Sequence, residues 1–277
     1  MSSKSHEPLV TIAIPSYNQE EFIGETISSI LAQTHQNIEL LVYDDCSKDR
    51  TVQVVSSFDD SRVKLIKADY NLGPEGNWNR CLSEIKGEYF LLVPGDDTLF
   101  PSYLEKKLEV FKADTQKKLA IVGCDRTIIN SNGKQLMSRG FPPGAGEFKY
   151  SQILSAVYKK GTNVIGEPGS GLVRGEVAKK VGAYRAKPGY LIDLDFWLRA
   201  LQFGNYYHLD VPLCTFRISK VSWSARIGFD QRNQFMEFVK RFSKETSFKP
   251  SPMELVSVSL SSYYVMMARM AFFKLVS

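Results

Sequence analysis

Two pairs of adjacent carboxylates, Asp44-Asp45 and Asp96-Asp97, each follow an apolar run, Ile38 to Tyr43 and Glu88 to Val93. Uninterrupted apolar runs of this length suit strands buried in a mainly parallel sheet. Ligands of such sheets bind beyond the carboxyl ends of the strands. Two adjacent acids repel each other there and call for a cation. Mg2+ or Mn2+, held by one or two carboxylates plus substrate phosphates, fits that geometry. One such pair reads as a solvated turn; two in one sheet read as a site.

Competing chemistries lack their residues. The first strand-to-helix turn, Pro15-Ser16-Tyr17-Asn18, has no glycine to admit a dinucleotide pyrophosphate. There is no Gly-x-x-x-x-Gly-Lys-Ser/Thr loop and no Gly-x-Ser-x-Gly elbow. Cys46, Cys81, Cys124 and Cys214 form no Cys-x-x-Cys pair, and His6, His35 and His208 are scattered, so reduced thiols are expected and zinc is not. What remains is a nucleotide-diphosphate site with a bound metal. Tyr17 would flank a base, and a carboxylate ending the second strand would accept from a base N–H. A metal at Asp97 would neutralise a departing diphosphate. The commonest electrophile carrying such a leaving group is a sugar anomeric carbon.

The elements that position these groups alternate. Strands are predicted at Val10 to Ile14, Ile38 to Tyr43, Val63 to Ile66 and Glu88 to Val93, with helices at Glu20 to Gln33, from Asp49 through Phe58, and at Asn77 to Lys86. This is an α/β pattern with helices on both sheet faces. The rhythm then breaks. Asn130-Ser131-Asn132-Gly133 reads as a hairpin turn, Arg139 to Glu147 as a loop, and Gly166 to Gly171 as a glycine-rich stretch before a helix from Gly175. Ile192 to Gln202 reads as helix, Tyr207 to Phe216 as a returning strand, and Phe229 to Lys244 and Met253 to Leu275 as terminal helices. The expected division is a domain over 1–225 and a helical extension over 226–277.

Composition sets outer limits. At 43% hydrophobic residues, 277 residues suffice for one large core, and a net charge of +5 spread without dense runs does not indicate nucleic acid as a partner. No signal peptide is read, and the longest uncharged stretch near the C-terminus, Leu255 to Ala268, falls short of the roughly 20 residues a span needs. A cytoplasmic protein is expected. Its last helix would pack on its own domain or a second subunit in a homo-oligomer, with peripheral contact at the inner membrane face as the alternative.

Three segments in order, Val10 to Asn18, Val42 to Asp49, and Lys86 to Tyr89 with Asp96-Asp97, resemble the family 2 glycosyltransferases of GT-A fold. Asn77-Trp78-Asn79-Arg80-Cys81 is similar to the variant in bacterial polysaccharide and cell-surface glycan transferases, and the likeness spans roughly residues 8–225. The resemblance implies a sugar nucleotide donor, a glycan or lipid-linked glycan acceptor, and a Mn2+ or Mg2+ cofactor. By it, Pro15 and Tyr17 sit in the nucleotide pocket, Asp45 contacts the base, Asp96 lies near the ribose or sugar, and Asp97 binds the metal. Asn79 is assigned to the donor pocket, with a hold on the strand ends as the competing role. Asp193 to Arg199 resembles the family's acidic segment and places the catalytic base of an inverting transfer at Asp193. Ile192 stands where relatives carry Glu, which leaves Asp195 open as an alternative. Ser219 stands where many carry His, implying a weaker metal site or diphosphate contacts from elsewhere. A sugar-nucleotide-binding scaffold and a sugar nucleotidyltransferase are the competing functions; the latter is expected to have a glycine-rich basic loop after the first strand.

Overall fold

A computed structural model describes residues 7–187, 189–218, 228–246 and 249–276. Its centre is a nine-stranded sheet. Strands β1 (Val10–Ser16), β2 (Ile38–Asp44), β3 (Val63–Lys67) and β4 (Tyr89–Leu92) form a parallel half in the order β3-β2-β1-β4. The sheet continues through β8 (Gly171–Arg174), β5 (Leu119–Asn130), β9 (Asn205–Ile218) and β7 (Gly146–Phe148), with β6 (Gln135–Arg139) hairpinned onto β5. This second half is mixed: β8 runs antiparallel to both β4 and β5, while β5 and β9 are parallel.

Side chains of the parallel half alternate between two cores, as the two-residue strand period requires. Ile12, Ile14, Leu40, Val42 and Leu91 enter one core with Ile23, Ile27 and Ile30 of α1 (Ile23–Leu31) and Tyr103, Leu104 and Phe111 of α4 (Tyr103–Ala113). Ala13, Leu41, Tyr43, Phe90 and Leu92 enter the other. There they share one cluster with residues of α5 (Tyr150–Lys160), α6 (Gly175–Val181), α7 (Ile192–Ala200) and α8 (Gln231–Glu245). Two short helices, α2 (Thr51–Ser56) and α3 (Gly73–Arg80), complete the alternation.

Several elements depart from expectation. The glycine-rich stretch holds a 3-10 turn at Pro168–Ser170 and then β8, a strand of only four residues whose pattern is too short to read. Gly171 is needed where it is, since a Cβ there would lie 2.7 Å from the Trp197 ring. The 130–133 turn does close a hairpin, with Gly133 at φ +76°.

The final helix, α9 (Pro252–Val276), is 25 residues long, well beyond its uncharged stretch. Its Pro252–Phe272 segment is long and apolar enough to cross a bilayer by length and composition, with mean hydropathy 1.2. It nonetheless docks on α5 and α8, burying Val258, Ser262 and Met266. The seat is close: a Cβ on Gly161 would lie 2.3 Å from the Ser262 amide nitrogen. Met253, Val256, Leu260, Tyr263, Tyr264 and Met267 form an exposed stripe on the opposite side.

Candidate active site

A cavity of about 1100 Å3 opens beyond the carboxyl ends of β1, β2 and β4, and Pro15, Tyr17, Asp45, Asp96 and Asp193 all line it. Its first wall is built by crossed loops. The Asn18 amide donates to Ser47 Oγ at 3.0 Å, and the Lys48 amide donates to Asn18 Oδ1 at 2.8 Å. Both Asn18 and Cys46 take left-handed backbone, at φ 53° and 64°, which turns the chain sharply off the strands. Tyr17 stands outward at 46% exposure, free to meet a flat ligand. Buried Asp45 accepts the Leu72 and Gly73 amides at 2.7 and 3.0 Å, so the same carboxylate that faces the cavity holds the entry to α3. Asn77 ties α3 to the sheet by donating to the Tyr43 carbonyl at 2.9 Å.

Asn79 is outside this wall. Its Nδ2 donates to the Tyr184 carbonyl at 3.1 Å and its Oδ1 accepts the Tyr184 amide at 2.7 Å. Both ends of the amide are engaged by backbone, so the geometry gives Asn79 a holding role in place of the expected donor contact, on the segment before α7. Its neighbour Trp78 does line the cavity, edge-on to Tyr184.

At the end of β4, Asp96 faces the cavity and Asp97 sits behind it, 1% exposed. Arg217 of β9 fastens the pair. Its amide donates to Asp97 Oδ1 at 2.8 Å, its Nε to the Asp96 carbonyl at 2.8 Å, and its Nη2 to Glu25 Oε2 at 2.6 Å. Asp97 Oδ2 is buried with no hydrogen-bond partner. Burial, and then the charge of Asp96, push Asp97 well above the usual carboxylate range, while burial raises Asp96 to about 6. A sealed carboxylate pair with an orphan oxygen is short of positive charge. These residues fit a hard divalent cation that takes its other ligands from substrate phosphates and water. Among the described residues no cluster of three or more His, Cys, Asp or Glu offers a complete protein cage. Ser219 lies outside the described residues.

The third side belongs to α7. Asp193, in its first turn, accepts Asn163 Nδ2 at 2.9 Å through Oδ2 and the Leu194 amide at 2.7 Å through Oδ1. Burial and then the nearby Glu167 charge push its carboxyl up to about 7. Asp195 has a different setting. It is fully buried, held by Arg199 Nε at 2.7 Å and by the Arg241 guanidinium, and does not line the cavity. Trp197 anchors the core, donating from Nε1 to the Gly166 carbonyl at 3.0 Å. Glu167 lines the cavity in an ion pair with Arg126, Nε to Oε2 2.5 Å. Asn163 and Arg217 escaped sequence reasoning. Arg217 adjoins a segment already singled out, whereas Asn163 carries no local signal.

The chain as a whole is similar to known proteins. "Uncharacterized glycosyltransferase RT0329" of Rickettsia typhi is 25% identical over 274 residues, covering 99% of this chain and 82% of that protein. The Escherichia coli "UDP-Glc:alpha-D-GlcNAc-diphosphoundecaprenol beta-1,3-glucosyltransferase WfgD" is 37% identical over 124 residues, 45% of this chain and 48% of its own. The structure of S. aureus TarS residues 1–349 with UDP-GlcNAc superposes with a TM-score of 0.68 at 18% identity, covering 91% of this chain and 71% of that one, which establishes the GT-A-type fold. The family model described as "Glycosyl transferase family 2" matches residues 11–182, more than half of the sequence, and the chain belongs to that family.

Proposed function

We propose that the protein is an inverting, metal-dependent glycosyltransferase that moves a sugar from a nucleotide-diphosphate donor to a hydroxyl of a glycan or lipid-linked glycan. The observation that carries this is the convergence of three groups on one cavity: the Tyr17–Asp45 wall, the Asp96–Asp97 pair, and Asp193. TarS was solved with UDP-GlcNAc and WfgD is named for transfer to a lipid-linked sugar diphosphate, which supports both substrate classes.

Tyr17 and Asp45 hold the nucleotide, the ring against the base and the carboxylate toward a base N–H. Asp96, beside the cavity, orients the ribose or sugar. A Mn2+ or Mg2+ at Asp97, when bound, supplies Lewis-acid stabilisation for the leaving diphosphate. Asp193 takes the proton of the acceptor hydroxyl as that oxygen attacks the anomeric carbon from the face opposite the leaving group. Its raised proton affinity, near neutrality, suits a general base. Asn163 fixes the carboxylate's orientation by its hydrogen bond. One displacement inverts the anomeric carbon.

The test is calorimetric titration of UDP, GDP, dTDP and CDP with and without Mn2+, followed by nucleoside diphosphate release from the corresponding sugar nucleotide. Metal-enhanced binding with turnover is expected. Binding without turnover makes the protein a scaffold. Pyrophosphate release from a triphosphate plus sugar phosphate makes it a nucleotidyltransferase. The same reading takes the protein as cytoplasmic, where sugar nucleotides are made, with the outer stripe of α9 available to a membrane face or a second copy.

A further inference from the structure

Arg139 and Arg269 line the cavity, and buried Arg126 lies beside Arg139. Arg126 of β5 and Arg139 of β6 are register partners across the antiparallel hairpin, the position where like charges destabilise a pair of strands. Arg126 is 2% exposed, and its Nη1 has no hydrogen-bond partner. Gly166 leaves room for it, since a Cβ there would lie 3.1 Å from both Arg126 Cζ and Nη1. Arg139 lines the cavity without a side-chain hydrogen bond or ion pair among the described residues. Arg269, from α9, lines it too, and among the described residues its guanidinium donates to two neutral oxygens, Thr162 Oγ1 at 2.9 Å and Gln231 Oε1 at 3.2 Å. Burial, then the charges of Arg126 and Arg269, depress the proton affinity of Arg139, in keeping with the proximity that the hairpin register gives Arg126.

Among the described residues Glu167 is the carboxylate that ion-pairs with this group, and its partner is Arg126. Arg139 and Arg269 therefore bring positive charge to an open cavity with no ion-pair partner among the described residues. Guanidinium forks match phosphate and carboxylate oxygens. The donor diphosphate already has a site at Asp96–Asp97, and the wall bearing Tyr17 and Asp45 comes from β1, β2 and α3, not from β6 or α9.

We infer that Arg139 and Arg269, backed by Arg126, bind an anionic group, a phosphate or carboxylate carried by the acceptor, beside the hydroxyl that Asp193 deprotonates. The inference rests on the glycosyltransferase reading and makes α9 part of the acceptor site. Apolar Tyr264 and Phe272 line the cavity from the same helix, so the anion would be held beside an apolar surface.

The test uses inorganic phosphate as the minimal anion on full-length protein saturated with UDP and Mg2+, or with whichever nucleoside diphosphate binds tightest. Phosphate should raise the melting temperature above that in chloride at matched ionic strength. Arg139→Gln and Arg269→Gln should each weaken phosphate binding by about tenfold or more, as loss of a charge-assisted hydrogen bond predicts, and leave nucleoside diphosphate affinity unchanged. No phosphate effect on the nucleotide-loaded protein overturns the inference. So does loss of nucleoside diphosphate affinity in both variants, which assigns the arginines to the donor diphosphate. Failure of every nucleoside diphosphate to bind overturns the glycosyltransferase reading itself.

Discussion

Replacing Asp193 with Asn separates catalysis from stability, because the two should move in opposite directions. As general base, Asp193 must be ionised, so wild-type turnover should rise with pH and level off above about 7. Asp193→Asn should lower nucleoside diphosphate release by about 10²–10⁴ and remove that pH dependence. For stability, the folded carboxyl sits near 7 and the unfolded one near 3.8, so the native state binds the proton more tightly. The stability this group contributes is fully present below 3.8 and is lost as pH rises through about 7. The full displacement corresponds to about 4 kcal/mol, and contact with the open cavity reduces the expected cost to about 1–2 kcal/mol. The neutral amide avoids it, and its single oxygen keeps one of the two bonds Asp193 accepts, from Asn163 or from the Leu194 amide, a loss that offsets part of the gain. At pH near 8 the variant should therefore be more stable than wild type and close to inactive, measured by urea denaturation and by nucleoside diphosphate release. Equal activity at that pH would refute the catalytic role, and lower stability without any pH trend would refute the electrostatic reasoning.

Asp97→Asn should abolish the gain in nucleoside diphosphate affinity that Mn2+ confers, read by titration calorimetry, while removing a buried carboxylate with one unpartnered oxygen; metal enhancement that survives puts the cation elsewhere. Asp195→Asn leaves Arg199 and Arg241 without their shared buried carboxylate and should destabilise the fold by about 3–5 kcal/mol in chemical denaturation, yet nucleotide affinity of the folded fraction should be unchanged. Gly161→Ala meets both a φ of +63° and the backbone of α9 at 2.3 Å, so it should loosen that helix; unaltered protease resistance around residue 250 would contradict the close seat.

The strand-turn-strand frame and its acids were legible because each is a local pattern. Apolar runs of strand length ending in Asp44-Asp45 and Asp96-Asp97 name their own place, since a buried parallel strand must end where the sheet meets solvent. Asp193 was found by resemblance to a family segment, on a helix whose start the sequence marks. Three things needed the tertiary structure. Asp193 and Asp195 are both acids in the first turn of one helix, and nothing local distinguishes the one facing a cavity from the one locked between Arg199 and Arg241. Asn79 could serve ligand or backbone until Tyr184, distant in sequence, was seen to occupy both ends of its amide. Arg126, Arg139 and Arg269 are scattered along the chain, and only hairpin register sets Arg126 beside Arg139 and only the return of the last helix brings Arg269 to the same cavity as Arg139. Pattern along a chain reports which residues are buried; which polar groups face one another depends on contacts between distant segments, and those exist only in the folded molecule.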